Sequence, residues 1–429
     1  MMRDHTRPSE VITAKWKTSL AAGEEIYGTI ALDDKFDLVF PMLESQGQIP
    51  DGTSLLWGLS DHLKRCSILT LPFRFGSVCY TPTERLYSKR SAIRYLLLGP
   101  NYIADPASDF VPEIVFTPQP DKDLHKGEPL DSVPGRDPLF KVDVPSLGGT
   151  IAAQALGRSL LVGIHFWQLH KLQAALEEAN KLCVFLSFLA HQCVVPSDLR
   201  VFANDETEPY QLHSRSFTPA PAREYTWAGY TALLADDHPA FAEVLQKWYA
   251  SNDTHLRSRY YYRYSLTEPL VFTPIRFLAV FQALEGIMDR SGYQLLSTTQ
   301  FTAAKDAIRQ TLPATPELDL FLRKLNNSRS LDYILKQELP RICALADVKP
   351  SFSIDEFVKR ICRRRNLASH GGPHFDDTTT DDTFIPDTML LTVFYVVLES
   401  HQIGLNPRNT LKKFLSSLGN PELPLKLPL

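Results

Sequence analysis

Short apolar runs alternate with polar residues along the N-terminal half of the chain. Residues 24–40 place two such runs on either side of Asp33 and Asp34, which favour a turn, so this pattern predicts a β-hairpin. Further strand-like runs, bounded by Pro, Gly or Asp, follow at 54–59, 66–73, 92–98 and 113–116. We therefore expect a β-sandwich or a curled antiparallel sheet.

The next part of the chain predicts a change of domain. Residues 118–149 are rich in Pro, Asp, Lys and Gly, which indicates a long surface loop. Residues 159–166 are again strand-like and residues 170–188 have helical periodicity, so strand and helix share one domain. Residues 214–225 concentrate Ser, Pro and Ala and predict a linker. A sandwich-like, β-rich N-terminal domain is thus expected over residues 1–215.

After the linker the apolar period becomes that of an α-helix. The predicted helices cover 230–250, 274–290, 301–312, 316–326, 353–370 and 386–403. In one of them Phe277, Phe281, Leu284 and Met288 recur at steps of three and four residues, which predicts a buried stripe. The fold class is therefore an α+β multidomain protein, with an all-α bundle over residues 226–429.

Composition limits the possible partners. The chain has 429 residues, enough for two or three domains, and its 44% hydrophobic and 22% charged residues are typical of a globular protein. The net charge of -4 and the isoelectric point of about 6.3 give no overall basic field. Any contact with nucleic acid must therefore be local.

The sequence predicts a cytoplasmic location without a membrane partner. Its polar N-terminus lacks the apolar core of a signal peptide. The apolar run 389–398 is shorter than the roughly 20 residues that span a bilayer. The 6 cysteines form no CxxC pair, which suits a reducing compartment. Cys183, His191 and Cys193 lack a second pair of ligands, so we expect neither metal nor cofactor.

The segment 353–374, SIDEFVKRICRRRNLASHGGPH, carries the candidate chemistry. Ser353 can cap the helix with Glu356 as its capping-box partner, and the Gly-Gly-Pro sequence at 371–373 ends the helix close to His370. At about 100° per residue, Asn366 and His370 project from one face. Arg365 lies about 140° from His370, so its long side chain must reach round to the imidazole.

These residue types match the needs of RNA cleavage without metal. One group must take the proton of the 2′-hydroxyl, one must protonate the leaving oxygen, and a cation must lie near the phosphorane charge. Histidine and arginine supply these groups. The helix C-terminus also favours the protonated form of His370, which suits proton transfer near neutral pH.

Four segments resemble known families. RNLASH, residues 365–370, resembles the R-N-x-x-x-H motif of HEPN domains, although Ser369 stands where that motif often has a bulky apolar residue. FLAVFQALEGIMD, residues 277–289, is similar to the HEPN helix with a central Leu-Glu pair, here Leu284 and Glu285. Residues 28–40 and 94–116 resemble the β-rich front domain of ApeA-type anti-phage defence proteins.

The resemblance implies a function. It implies a metal-independent HEPN-type endoribonuclease that acts as a dimer, with two motif helices facing each other, cuts tRNA or other cellular RNA, and arrests the growth of infected cells. His370 would handle the proton, Arg365 the phosphate charge, and Asn366 the orientation of one of them. The N-terminal domain would sense a phage-derived trigger and regulate the nuclease.

Other residues have two readings each. Four cations on the same helix form either a patch that binds the RNA backbone or a solvated helical face: Lys359, Arg360, Arg363 and Arg364. Glu285 can hold Arg365 or His370 in place, or serve at the surface or as a cap. Residues 257–264 interleave aromatics with cations, as in a stacking platform for single strands or a half-buried element.

Two other functions remain open. The chain can be a non-catalytic RNA-binding or dimerisation scaffold, in which Arg365 and His370 bond helix ends and acidic neighbours such as Asp376 and Asp377. It can also be a toxin that is silenced by modification of a side chain, for which the sequence offers no distinguishing feature.

Overall fold

The structure is a computed structural model that describes most of the chain. The described residues are 10–17, 26–32, 37–42, 55–60, 65–70, 79–81, 84–101, 108–119, 140–156, 159–204, 206–213, 238–267, 274–370, 383–417 and 425–426. The chain divides into two compact units, Met1–Tyr249 and Ala250–Leu429.

The first unit is built on one antiparallel sheet. Its strands are β1 (Glu10–Lys17), β2 (Ile26–Leu32), β3 (Asp37–Met42), β4 (Leu55–Ser60), β5 (Arg65–Thr70), β6 (Cys79–Thr81), β7 (Glu84–Gly99), β8 (Asp109–Gln119), β9 (Phe140–Val144), β10 (Gly149–Leu156), β11 (Ser159–Lys171), β12 (Val195–Phe202) and β13 (Tyr210–His213). The four strand-like runs predicted between residues 54 and 116 correspond to β4, β5, β7 and β8.

The sheet closes on itself through its longest strand, β7. Residues 87–92 of β7 pair with β3, and residues 93–99 pair with β5. The order β3-β2-β1-β4-β5 joins these two partners, so β7 completes a ring. The predicted hairpin is confirmed as β2 and β3, which pair through Thr29 with Val39. These pairings agree with a curled antiparallel sheet rather than with two separate sheets.

The same strand continues the sheet away from the ring, in the order β7-β13-β12-β8-β11-β10-β9. Helix α1 (Leu172–Ala190) follows β11 directly and packs on β8, β11 and β12. Its first half buries one side, through Leu172, Ala175, Leu176 and Ala179, whereas every residue from Leu182 to Ala190 is buried.

The second helix corrects the predicted domain boundary. Helix α2 (His238–Tyr249) lies within the helix predicted at 230–250. The sequence places that helix in an all-α domain that begins at residue 226. It packs instead on the first unit: the Phe241 ring lies 4.6 Å from the Phe140 ring, and Trp248 lies 5.1 Å from Phe185. The boundary between the compact units therefore follows Tyr249. The predicted linker 214–225 lies outside the described residues.

Part of the predicted loop 118–149 is a strand. Residues 120–139 lie outside the described residues, but the following residues form β9, in which Phe140, Val142 and Val144 are buried and Lys141 and Asp143 are exposed. This alternation is the pattern of a strand with one buried face, and the loop-like composition upstream concealed it.

The second unit is helical. Its helices are α3 (Asp253–Thr267), α4 (Pro274–Ile287), α5 (Thr298–Thr311), α6 (Pro316–Lys324), α7 (Leu331–Leu345), α8 (Ile354–His370), α9 (Phe384–Gln402) and α10 (Pro407–Ser417). Strands β14 (Lys349–Pro350) and β15 (Leu425–Lys426) pair beside them. The predicted α+β class is therefore confirmed. Nowhere in the described ranges does a helix combine the length and the apolar character needed to cross a membrane.

Helix α9 forms the centre of this unit because it is buried on nearly all sides and carries two buried carboxylates. Asp387 accepts two hydrogen bonds of 2.7 Å from Arg360 and another from Arg364. Glu399, near the other end, accepts from Arg259 at 2.8 Å. Asp387 is 1% exposed and Glu399 is fully buried. The predicted apolar stripe of α4 is also buried, from Phe277 to Met288.

One buried histidine couples the first unit to pH. His191 ends α1 in the left-handed conformation, with φ of 49°, and it is 5% exposed. Burial lowers the pKa of His191 from 6.5 to about 3. The unfolded chain therefore binds this proton more tightly than the folded unit does. The stability contributed by neutral His191 is complete above pH 6.5 and is lost as the pH falls toward 3.

We expect His191→Asn to flatten the acid side of the stability profile. Asparagine tolerates the left-handed conformation but does not titrate, so wild type should lose about 1.4 kcal/mol more per pH unit than the variant between about pH 6 and about pH 4. Urea unfolding followed by tryptophan fluorescence measures this, because all 5 tryptophans lie in the first unit. Above neutral pH the two slopes should agree. Equal slopes in acid would contradict a buried, neutral His191.

Candidate active site

Helix α8 carries the candidate residues, and it begins directly after Ser353, as predicted. The Ser353 hydroxyl accepts a hydrogen bond of 3.4 Å from the backbone N–H of Glu356. The helix extends to His370, one turn beyond Asn366. The side chain of His370 and residues 371–382, which include the predicted helix end and the acidic neighbours at 376 and 377, lie outside the described residues.

One face of α8 points into the bundle. Arg364 is 2% exposed and bonds to Asp387 and, at 2.8 Å, to the Thr383 hydroxyl. Arg360, one turn earlier, makes the two-pronged contact with Asp387. This corrects part of the predicted RNA-backbone patch: Arg360 and Arg364 hold the fold together, whereas Lys359 and Arg363 are exposed.

The adjacent face of α8 opens onto a cleft between α7 and α8 with a volume of about 610 Å³. The lining side chains come from the two facing helices: Leu331, Asp332, Lys336, Asp355, Glu356, Lys359, Cys362, Arg365 and Asn366. Arg365 Nη1 donates to Asn366 Oδ1 at 3.3 Å. The structure therefore brings two of the predicted catalytic residues to one concave surface.

The predicted supporting residue, Glu285 on α4, contacts Arg365. Glu285 Oε2 lies 3.9 Å from Arg365 Nη2, whereas Glu285 Oε1 lies 2.7 Å from Arg290 Nη2. Arg290 is therefore its closer partner. The Arg365 side chain remains 35% exposed. Glu285 thus attracts the guanidinium of Arg365 from one side and leaves it open to the cleft.

Sequence reasoning missed the wall that α7 contributes. The hydrogen bond with the Ser330 hydroxyl lowers the pKa of exposed Asp332; desolvation opposes this shift, and backbone N–H groups add to it. Lys336 lies 3.0 Å from Asp355 across the cleft. Burial raises the pKa of the Cys362 thiol to about 11. The cleft therefore presents an ionised carboxylate and a protonated thiol at neutral pH. The spacing of Asp332 and Lys336 by four residues was the available signal.

The aromatic and cationic run at 257–264 is a half-buried helix, α3. Arg259 and Tyr262 are buried, and the Tyr262 ring stacks on Tyr395 at 4.4 Å. Tyr261 and Tyr264 are exposed on the opposite side of the helix. These contacts agree with a half-buried element rather than with a platform on which single strands stack.

Known proteins give no further guide. No protein-family model, no curated protein and no solved structure matches the chain. In the ranges that the structure describes, no group of three or more His, Cys, Asp or Glu is arranged to hold a metal ion. The side chains that line the cleft offer cations that can bind an anionic group, and an amide that donates and accepts hydrogen bonds.

The neighbours Arg364 and Arg365 should respond differently to truncation. Arg364→Ala removes a buried partner of Asp387, so we expect a loss of about 3 kcal/mol or more in the unfolding free energy of the helical unit. Arg365→Ala removes a half-exposed side chain and should cost less than about 1 kcal/mol. Hydrogen exchange of peptides from α8 and α9 measures both. Equal losses would contradict the orientation of α8.

Proposed function

We propose that the chain is a metal-independent HEPN-type endoribonuclease that cleaves cellular RNA, such as tRNA, as an anti-phage abortive-infection effector. The observation that supports it best is the cleft between α7 and α8, which exposes Arg365 and Asn366 together. Lys359 lies on the same cleft wall. His370 follows Asn366 by one helical turn on the same helix.

In this proposal each residue has one task. The Arg365 guanidinium balances the charge that develops on the phosphorane, since it is exposed to the cleft and attracted by Glu285. His370 transfers the proton, and its place at the end of a helix favours its charged form. Asn366, bonded to Arg365 at 3.3 Å, orients that guanidinium. Lys359 supplies a local attraction for the RNA backbone in a protein whose net charge is -4.

The partners follow from the same proposal. Cleavage needs one group that takes a proton and one that gives a proton, and in the motif His370 alone has this task. A second copy of the chain supplies the other group. The first unit, with its curled sheet, acts as the sensor of a phage-derived trigger. A cytoplasmic location completes the proposal, because cellular RNA is the substrate.

A second candidate function is a non-catalytic RNA-binding or dimerisation scaffold. One observation favours it: two of the four cations predicted to bind RNA, Arg360 and Arg364, are committed to Asp387. A HEPN-like bundle without catalysis would still need Arg360 and Arg364 to hold α8 against α9. Such a protein would retain RNA without cutting it.

We expect purified protein to cut total cellular RNA into discrete fragments in the presence of EDTA. Arg365→Ala and His370→Ala should each lower the cleavage rate by about 100-fold or more, because each removes a charge or proton-transfer contribution to the transition state. The measurement is the rate of fragment formation on a denaturing gel, with circular dichroism to verify that each variant is folded.

Matched variants control for loss of a cation or an imidazole elsewhere. Arg341→Ala on α7 and His401→Ala at the end of α9 alter exposed residues outside the cleft and should cleave at the wild-type rate. Intact RNA in the wild-type lane, together with RNA retained on a filter, would reject the nuclease in favour of the scaffold. Full activity in a folded His370→Ala variant would reject the assignment of the proton-transfer group.

A further inference from the structure

Residues 295–326 form a helical arm that leaves the bundle between α4 and α7 and contains α5 and α6. The base of this arm is closed by short hydrogen bonds. The Leu295 N–H donates to the Asn327 carbonyl at 2.7 Å, and the Asn327 side chain donates to the Leu296 carbonyl at 2.7 Å. The Arg329 N–H donates to the Tyr293 carbonyl at 2.8 Å. The arm is therefore attached firmly at one end.

The arm itself buries very little. Helix α5 has 14 residues and none of them is buried, and α6 has 9 residues of which Leu322 alone is buried. Isolated helices shorter than roughly 12 to 15 residues are marginal in water even in favourable sequences. Helices α5 and α6 are therefore of a length that normally depends on packing. Leu312, Leu320 and Phe321 are each at least half exposed. Isolated exposed apolar side chains are ordinary, but a contiguous pair such as Leu320 and Phe321 is the kind of patch that can mark an interaction site.

The exposed residues of α6 form one ordered stripe. Glu317, Leu320, Phe321 and Lys324 are spaced as i, i+3, i+4 and i+7, so they share one face of the helix. All four are exposed, with Leu320 at 54% and Phe321 at 53%. The acid lies in the first turn, the base in the last turn, and the two apolar side chains lie between them.

We propose that this stripe is the docking surface for a second copy of the chain, with α6 antiparallel to α6 of that copy. A twofold axis through the middle of the helix places Glu317 opposite Lys324 of the second copy, and the reverse, around a shared apolar centre. The stripe is its own complement in charge. RNA does not fit it, because one acid accompanies one base and no net positive field results.

This contact is separate from the proposed nuclease chemistry. It requires neither RNA nor cleavage. It places the contact between the two copies on α6, whereas the resemblance to HEPN domains would place it on the motif helix α8. The remainder of the arm stays beside the contact, since α5 precedes α6 by four residues. The contact is small, so we expect a reversible dimer whose population depends on concentration.

Sedimentation equilibrium of the full chain tests the proposal. We expect the wild-type dimer to have a Kd below about 100 µM. The double variant Leu320→Glu/Phe321→Glu should raise this Kd at least about 100-fold, because it places four acids at the twofold axis. Glu317→Lys alone and Lys324→Glu alone should each weaken association about tenfold. The combined Glu317→Lys/Lys324→Glu variant should restore it, because the reversed charges face each other again.

Asp319→Lys is the matched control. It places the same charge change in the first turn of α6, with the same unfavourable effect at the helix N-terminus, but off the stripe. It should therefore associate like wild type. Circular dichroism should be unchanged in every variant. A monomeric wild type, a dimer indifferent to Leu320→Glu/Phe321→Glu, or a combined charge reversal that fails to restore association would each overturn the proposal.

Discussion

The carboxylate of Asp387 fixes the helix that carries the candidate site. Arg360 and Arg364, one turn apart on α8, converge on this single buried group on α9. Charges removed from water are tolerated only when they are paired and hydrogen-bonded, and Arg364 also reaches the hydroxyl of Thr383. Rotation of α8 about its axis would leave Asp387 and Arg364 buried without partners. The helix therefore has one orientation.

That orientation divides the work among adjacent residues. Successive residues of a helix lie about 100° apart, so when Arg364 points into the bundle, Arg365 and Asn366 turn toward α7. The same turn leaves Cys362 in the cleft wall. Glu285 then lies close enough to attract the Arg365 guanidinium without hydrogen-bonding it, at 3.9 Å. The buried pair of Arg364 and Asp387 thus determines that Arg365 is the arginine exposed to the cleft, where it can bind an anion.

Elsewhere the two units satisfy burial in different ways. In the first unit β7 pairs with both β3 and β5 and so leaves the ring without a free edge at that point. In the helical unit, α9 is surrounded by other helices, and its second carboxylate, Glu399, is held by Arg259. Burial raises the pKa of Glu399, and the neighbouring guanidinium of Arg259 opposes this shift. The arm that contains α5 and α6 takes part in neither arrangement.

The sequence by itself determined the elements with strong local periodicity, because period and capping depend on near neighbours. The hairpin of β2 and β3, helices α4 and α8, and the cap at Ser353 follow from it. It missed α7, which has Pro340 in its interior, and with it the second wall of the cleft. The tertiary structure alone decided that α2 joins the first unit and that Arg364 is buried beside Arg365. Those outcomes depend on groups distant in the chain, as Asp387 is from Arg364, and no local pattern records them.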